Sequence, residues 1–235
     1  MYEEWERTDD MVTSSEVSER QNEMTSNQTT PKRALLIIDV QNEYFTGNLR
    51  IEYPDVDQSL ANICDAMDAA RASGIPVVIV QHVGPETSPI AGRGSIGAEL
   101  HPSIGERHRD VLIEKNKTSA LNGTTLGAWL RERAIDTLTV VGYMTNNCVT
   151  ATTLQAAQEG WSVELLHDAC GSVSYANAAG SATAEEIHRV YTVVLHTGFA
   201  AVATTAEWLS AIKSGETLAA DNIFGSDEFQ VGCPA

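Results

Sequence analysis

From Ala34 onward, short apolar runs rich in β-branched residues alternate with longer stretches in which apolar side chains recur every three or four positions. A run such as Leu35-Leu36-Ile37-Ile38 has none of the polar interruptions of a strand with one wet face, so both of its faces must be covered. Helices between the strands supply that cover, and the pattern predicts an α/β fold: a doubly wound, mostly parallel six-stranded sheet with helices on both faces. The predicted strands are 34–40, 75–82, 111–115, 137–142, 162–167 and 192–196. The predicted helices are 55–73, 125–133, 149–159, 184–190 and 206–212, with Gly74 and Gly160 as the clearest helix stops.

At 235 residues, 43% hydrophobic and 20% charged, the chain can build one sizeable core without staples. Residues 31–213 read as that domain. Residues 1–30 read as a polar, acidic, flexible tail, and 214–235 as a C-terminal tail. A formal charge of −17 opposes nucleic acid and anionic membrane surfaces, since binding a phosphate backbone depends on Lys and Arg displacing counterions. No apolar stretch approaches the roughly 20 residues of a membrane span, and the acidic N-terminus is unlike a secretory leader, so the expected location is cytoplasmic. Cys64, Cys148, Cys170 and Cys233 form no paired spacing and read as free thiols. Two stretches, 84–109 and 170–183, interrupt the alternation. Each is either a plain surface loop or a wall of a pocket.

In an open parallel sheet, ligands bind beyond the carboxyl ends of the strands, near the point where strand order reverses. Three reactive side chains fall at such ends. Asp39 closes the first predicted strand, where a buried carboxylate needs a partner. Lys115 closes the third, and Cys148 follows the fourth in Gly142-Tyr143-Met144-Thr145-Asn146-Asn147-Cys148-Val149. Singly, these are ordinary residues: a loop carboxylate, a solvated lysine and a core cysteine.

Jointly they resemble the isochorismatase-like cysteine hydrolases, the family of nicotinamidases, carbamoylsarcosine amidases and related amidohydrolases. The resemblance covers roughly residues 33 to 213. It rests on Asp39-Val40-Gln41-Asn42-Glu43-Tyr44-Phe45, on Lys115 ahead of Ser119-Ala120-Leu121-Asn122-Gly123-Thr124, and on Gly142 through Val149, in that order. It implies a catalytic triad of Asp39, Lys115 and Cys148, a cis peptide between Tyr143 and Met144, and an oxyanion hole from the backbone amides of Met144 and Cys148. Elementary electrostatics supports these roles independently. A thiol at a helix start feels the positive end of the helix dipole and a nearby ammonium, both of which favour thiolate, while Lys115 offsets two adjacent anions.

The sequence also departs from the family. It lacks the Asp-x-His pattern of metal-dependent nicotinamidases, reading Val80-Gln81-His82-Val83-Gly84-Pro85-Glu86 instead, so neither metal nor cofactor is expected. The isochorismate-cleaving members lack the cysteine, which argues against vinyl-ether hydrolysis. Leu121 stands where Phe is usual, and Tyr143 and Met144 replace smaller residues. Candidate substrate contacts are Gln41, Phe45, His82, Leu121, Tyr143, Tyr175 and Asn177.

The expected activity is hydrolysis of a small amide, carbamoyl or ureido compound through a thioester, with water as co-substrate and ammonia or an amine released. The alternative is a non-catalytic, oligomeric binding protein of the same fold. The resemblance further implies a homodimer or homotetramer, with Trp208 as a candidate interface residue.

Overall fold

The computed structural model describes residues 30–223. Strands β1 (Arg33–Ile38), β2 (Val77–His82), β3 (Val111–Lys115), β4 (Thr137–Tyr143), β5 (Ser162–Gly171) and β8 (Ala201–Ala203) form a six-stranded sheet in the order β3-β2-β1-β4-β5-β8. Every pairing in this sheet is parallel. Strand order therefore reverses between β1 and β4. A separate antiparallel hairpin pairs β6 (Tyr175–Asn177) with β7 (Gly180–Ala182).

Side-chain parity divides the core as a pleated strand requires. Leu35 and Ile37 of β1 face one side with Val77, Ile79, Val141 and Tyr143, under helices α1 (Val56–Ala72) and α5 (Thr205–Ser214). Ala34, Leu36 and Ile38 face the other side, under α2 (Leu126–Glu132), α3 (Thr150–Gln158) and α4 (Ala184–His196). Caps fix where helices begin. Asp55 accepts the Gln58 amide at the start of α1, and Thr183 with Glu186 closes a reciprocal capping box on α4.

The predicted strand at 192–196 is helix instead. The β-branched run Thr192-Val193-Val194 continues α4, whose box-capped start and amphipathic pattern outweigh local β preference. The sixth strand is Ala201–Ala203, beyond Gly198. Trp208 is fully buried, its indole N–H donating to Thr139 Oγ1 and Glu164 Oε2 at 3.0 Å each, so it is a core residue and not an interface residue. The 1–30 tail lies outside the described residues save Thr30, as does the end of the 214–235 tail. Its described part folds back, with the Glu216 carbonyl taking Arg33 and the Asp221 amide donating to His196 O at 3.1 Å.

Candidate active site

β1 ends one residue before Asp39, whose backbone turns into the left-handed region at φ 52, sparsely used by non-glycine residues and often retained at functional sites. Its amide still donates to Val80 O at 2.9 Å, so the side chain is anchored at the sheet edge and completely buried. The register between β2 and β3 sets Lys115 opposite His82. On the other side of β1, β4 passes so close that a Cβ on Gly142 would meet Ile38 O at 2.1 Å, and Gly142 also has φ +113. Only glycine fits there. The next peptide, Tyr143–Met144, is cis, and Thr145–Val149 then forms a π turn that leads into α3. In that turn the Met144 carbonyl accepts from Asn147 N at 3.0 Å and Val149 N at 3.3 Å, stepping over the N–H of Cys148.

These segments converge. The Lys115 ammonium lies 2.7 Å from Asp39 Oδ2, 3.2 Å from Cys148 Sγ, 3.1 Å from the Lys117 carbonyl and 3.5 Å from His82 Nδ1. Neither Asp39 oxygen meets a well-aligned donor among the described residues. Burial raises the Asp39 carboxyl above its ordinary value against the pull of Lys115. Burial also pulls Lys115 down, but the charges of Asp39 and Cys148 outweigh it and leave the ammonium above its usual value. The Cys148 thiol is pushed up to about 12, by burial first and the Asp39 carboxylate second, against Lys115. Burial and the adjacent carboxylate thus oppose the ammonium, which favours the thiolate. Such a thiol keeps its proton until a base takes it, and a carboxylate made more basic by burial stands ready.

The remaining sequence candidates divide. His82 stays beside the ammonium, its pKa lowered by burial and by Lys115. Leu121 shares the apolar cluster of Cys148, and the Ser119–Gly123 stretch is tied to α3 because Ala120 N donates to Thr152 Oγ1 at 3.0 Å while that hydroxyl donates to Cys148 O at 2.7 Å. Phe45 meets the His101 ring at 4.3 Å with a tilt of 39°, near the ring of Tyr143. Gln41 is wholly engaged in structure: its amide nitrogen donates to the His82 and Ala98 carbonyls at 2.8 and 2.7 Å, and its oxygen accepts from His82 N at 2.9 Å. Tyr143 points to the opposite core, its hydroxyl 2.7 Å from Ser59 Oγ. Tyr175 stands at the rim, its hydroxyl accepting from Asn146 Nδ2 at 3.2 Å and lying 4.0 Å from Met144 Sδ. Asn177 shapes the hairpin turn by accepting Ala179 N at 2.8 Å, and with Tyr175 and Asn146 it lines an open cavity of about 440 Å³.

Sequence reasoning missed Glu43, whose buried carboxylate accepts Asn48 N at 2.6 Å and Ala91 N at 3.1 Å and so ties the 84–109 stretch to the segment that follows Asp39. It also missed Thr152, for which the four-residue spacing from Cys148 was an available signal.

A sequence model of the isochorismatase domain matches residues 33–207. The chain belongs to the isochorismatase family. A crystal structure of a family protein from Burkholderia xenovorans LB400, described as an isochorismatase, superposes with a TM-score of 0.85 at 60% identity, covering 86% of this chain and 98% of that one. Among curated family members, a nicotinamidase of Escherichia coli is 27% identical over 182 residues, 61% of this chain and 85% of its own. A ureidoacrylate amidohydrolase of Acinetobacter baylyi is 26% identical over 219 residues, 79% of this chain and 86% of its own. In the described residues, no helix is long and apolar enough to cross a membrane.

Proposed function

We propose that this isochorismatase-family chain is a cysteine-dependent amidohydrolase acting on a small amide, carbamoyl or ureido compound. The observation that carries the reading is the convergence of Asp39 and Cys148 on the Lys115 ammonium, at 2.7 and 3.2 Å, at the reversal of strand order. As Sγ attacks the amide carbonyl, Asp39 takes the thiol proton, and the backbone amides of Met144 and Cys148 hold the oxyanion. Collapse breaks the C–N bond, and the departing nitrogen takes the proton back from Asp39. Ammonia or an amine leaves behind a thioester on Cys148. Water then adds to the thioester, giving its proton to Asp39. Collapse of that adduct breaks the C–S bond, Sγ takes the proton back from Asp39, and the carboxylic acid leaves with the thiol restored. Lys115 keeps carboxylate and sulfur together throughout, compensating whichever of them is negative.

The family's curated amidohydrolases support the reaction class, and the uncharged rim formed by Asn146 and Tyr175 suits a neutral, polar substrate. A homodimer or homotetramer is part of the proposal. It is supported by the outward stripe of α4, where Val190, Val193 and Val194 are exposed.

The test is an ammonia-release screen of nicotinamide, carbamoyl amino acids, biuret, ureidoacrylate and maleamate, with Cys148→Ala as control and mass spectrometry for an acyl adduct on Cys148. Release that the alanine variant retains in full would refute the nucleophile. Ligand-induced thermal stabilisation with no release from any compound would favour the non-catalytic binding protein.

A further inference from the structure

We propose that His188 is a positioning residue for the nucleophile, acting through Thr145 to fix the turn that carries Cys148. The inference rests on the reading of Cys148 as nucleophile. Thr145 opens the π turn, is completely buried and stands three residues ahead of the sulfur. Its carbonyl accepts the Thr150 hydroxyl at 2.5 Å, and its own hydroxyl lies 2.9 Å from His188 Nδ1. His188 belongs to the inward face of α4 and is itself buried. Its ring is held edge-on to Tyr53 at 5.6 Å, and His167 faces it at 6.2 Å. The side chain therefore has one defined orientation, and its Nδ1 is aimed at the turn.

The π turn sets the direction of the Cys148 N–H and the distance from Sγ to Asp39 and Lys115. Catalytic geometry of this kind tolerates displacements of only a few tenths of an ångström. The turn's tethers at Asn146, to Ser172 Oγ and to the Tyr175 hydroxyl at 3.2 Å each, are partly or fully exposed, and the buried Thr152 hydroxyl holds the Cys148 carbonyl from within α3; the Thr145–His188 contact is the buried side-chain link from the turn to α4. Removing the imidazole would leave the Thr145 hydroxyl buried without its partner, and the turn would shift to satisfy it. Burial and His167 lower the His188 pKa to about 4, so the ring is neutral near pH 7 and keeps one nitrogen able to accept.

The test compares His188→Leu, which deletes the contact, with His188→Asn, whose amide can occupy the place of Nδ1. Thr145→Val removes the same contact from the other end with little change of shape. Two readouts apply: the rate of Cys148 alkylation by iodoacetamide at pH 7, followed by mass spectrometry on folded protein, and kcat with KM on any amide that the wild-type protein turns over. The leucine and valine variants should lose about tenfold or more in alkylation rate and about 10²-fold in kcat, with KM within a factor of about two, and asparagine should restore most of both. If the leucine variant does not fold, the valine variant decides. Wild-type or faster alkylation in folded Thr145→Val, or no rescue by asparagine in a folded variant, overturns the proposal. Alkylation needs no substrate, so its loss in a protein that hydrolyses no amide would refute the amidase reading while leaving the positioning role intact.

Discussion

The two ends of β1 carry two buried ion pairs with opposite characters. At the start of the strand, Arg33 meets Glu164 at 2.7 Å, and the carboxylate is saturated: Nε and Nη2 of Arg33 donate to it, as do Thr139 Oγ1 at 2.8 Å and Trp208 Nε1 at 3.0 Å. Just past its end, Asp39 has Lys115 at 2.7 Å and no well-aligned donor on either oxygen among the described residues. Both carboxylates are buried, so the burial of charge does not separate them. Saturation does. A carboxylate whose lone pairs are all engaged is a structural group with nothing left to offer a proton, whereas one held by a single cation remains a base. The lesson is that an incompletely satisfied buried charge marks chemistry, and a satisfied one marks architecture.

The comparison breaks if exchanging the two carboxylates for amides has the same kind of effect. Asp39→Asn should lower kcat by about 10²–10⁴, since the base is lost while shape is kept, as read from ammonia release per folded molecule. In the parent protein the same carboxyl should set the acid limb of the rate profile. Because its pKa is raised, activity should fall at a higher pH than for an ordinary aspartate as the solution is acidified. Glu164→Gln should instead cost about 3–5 kcal/mol of stability in urea unfolding, because Arg33 stays buried without its counter-charge, and it should leave kcat per folded molecule unchanged.

A neutral buried group sharpens the contrast. His188 has its pKa lowered from 6.5 to about 4, so the unfolded chain takes up its proton first. Its contribution to stability is complete above about pH 6.5 and drains away as pH falls toward about 4, a loss of about 3 kcal/mol that His188→Asn should abolish in pH-dependent unfolding. The smallest effect belongs to the solvated pair Arg131–Glu159, where the two side chains are 57% and 35% exposed. There Arg131→Ala should shift stability by under about 1 kcal/mol in the same unfolding assay, a shift further reduced by salt.

Much of this molecule was legible in the chain. Five of the six sheet strands followed from short apolar, β-branched runs. The positions of Asp39, Lys115 and Cys148 followed from where those runs end, strengthened by the family motifs around them. β8 was missed because three residues, Ala201–Ala203, carry too little pattern to stand out, while Thr192-Val193-Val194 mimics a strand inside a capped helix. The aim of Tyr143 was in principle readable: it shares parity with Thr139 and Val141, and a pleat sends alternate residues to one face. The engagement of Gln41 was hidden for a different reason. Its motif position is beside the site, but its amide is claimed by the His82 and Ala98 backbone, and backbone demand is invisible to a pattern of side chains.

By itself, then, the sequence determined the alternation of strand and helix, the faces that must be buried, and which reactive groups sit at strand ends, since these depend on local periodicity and composition. Only the tertiary structure decided which ends are neighbours, how deeply the Cys148 thiol is buried beside a carboxylate, and that His188 reaches Thr145 across 43 positions of chain. Those properties depend on desolvation and on distances of a few ångströms between segments far apart in the chain, and neither quantity exists until the sheet has closed around them.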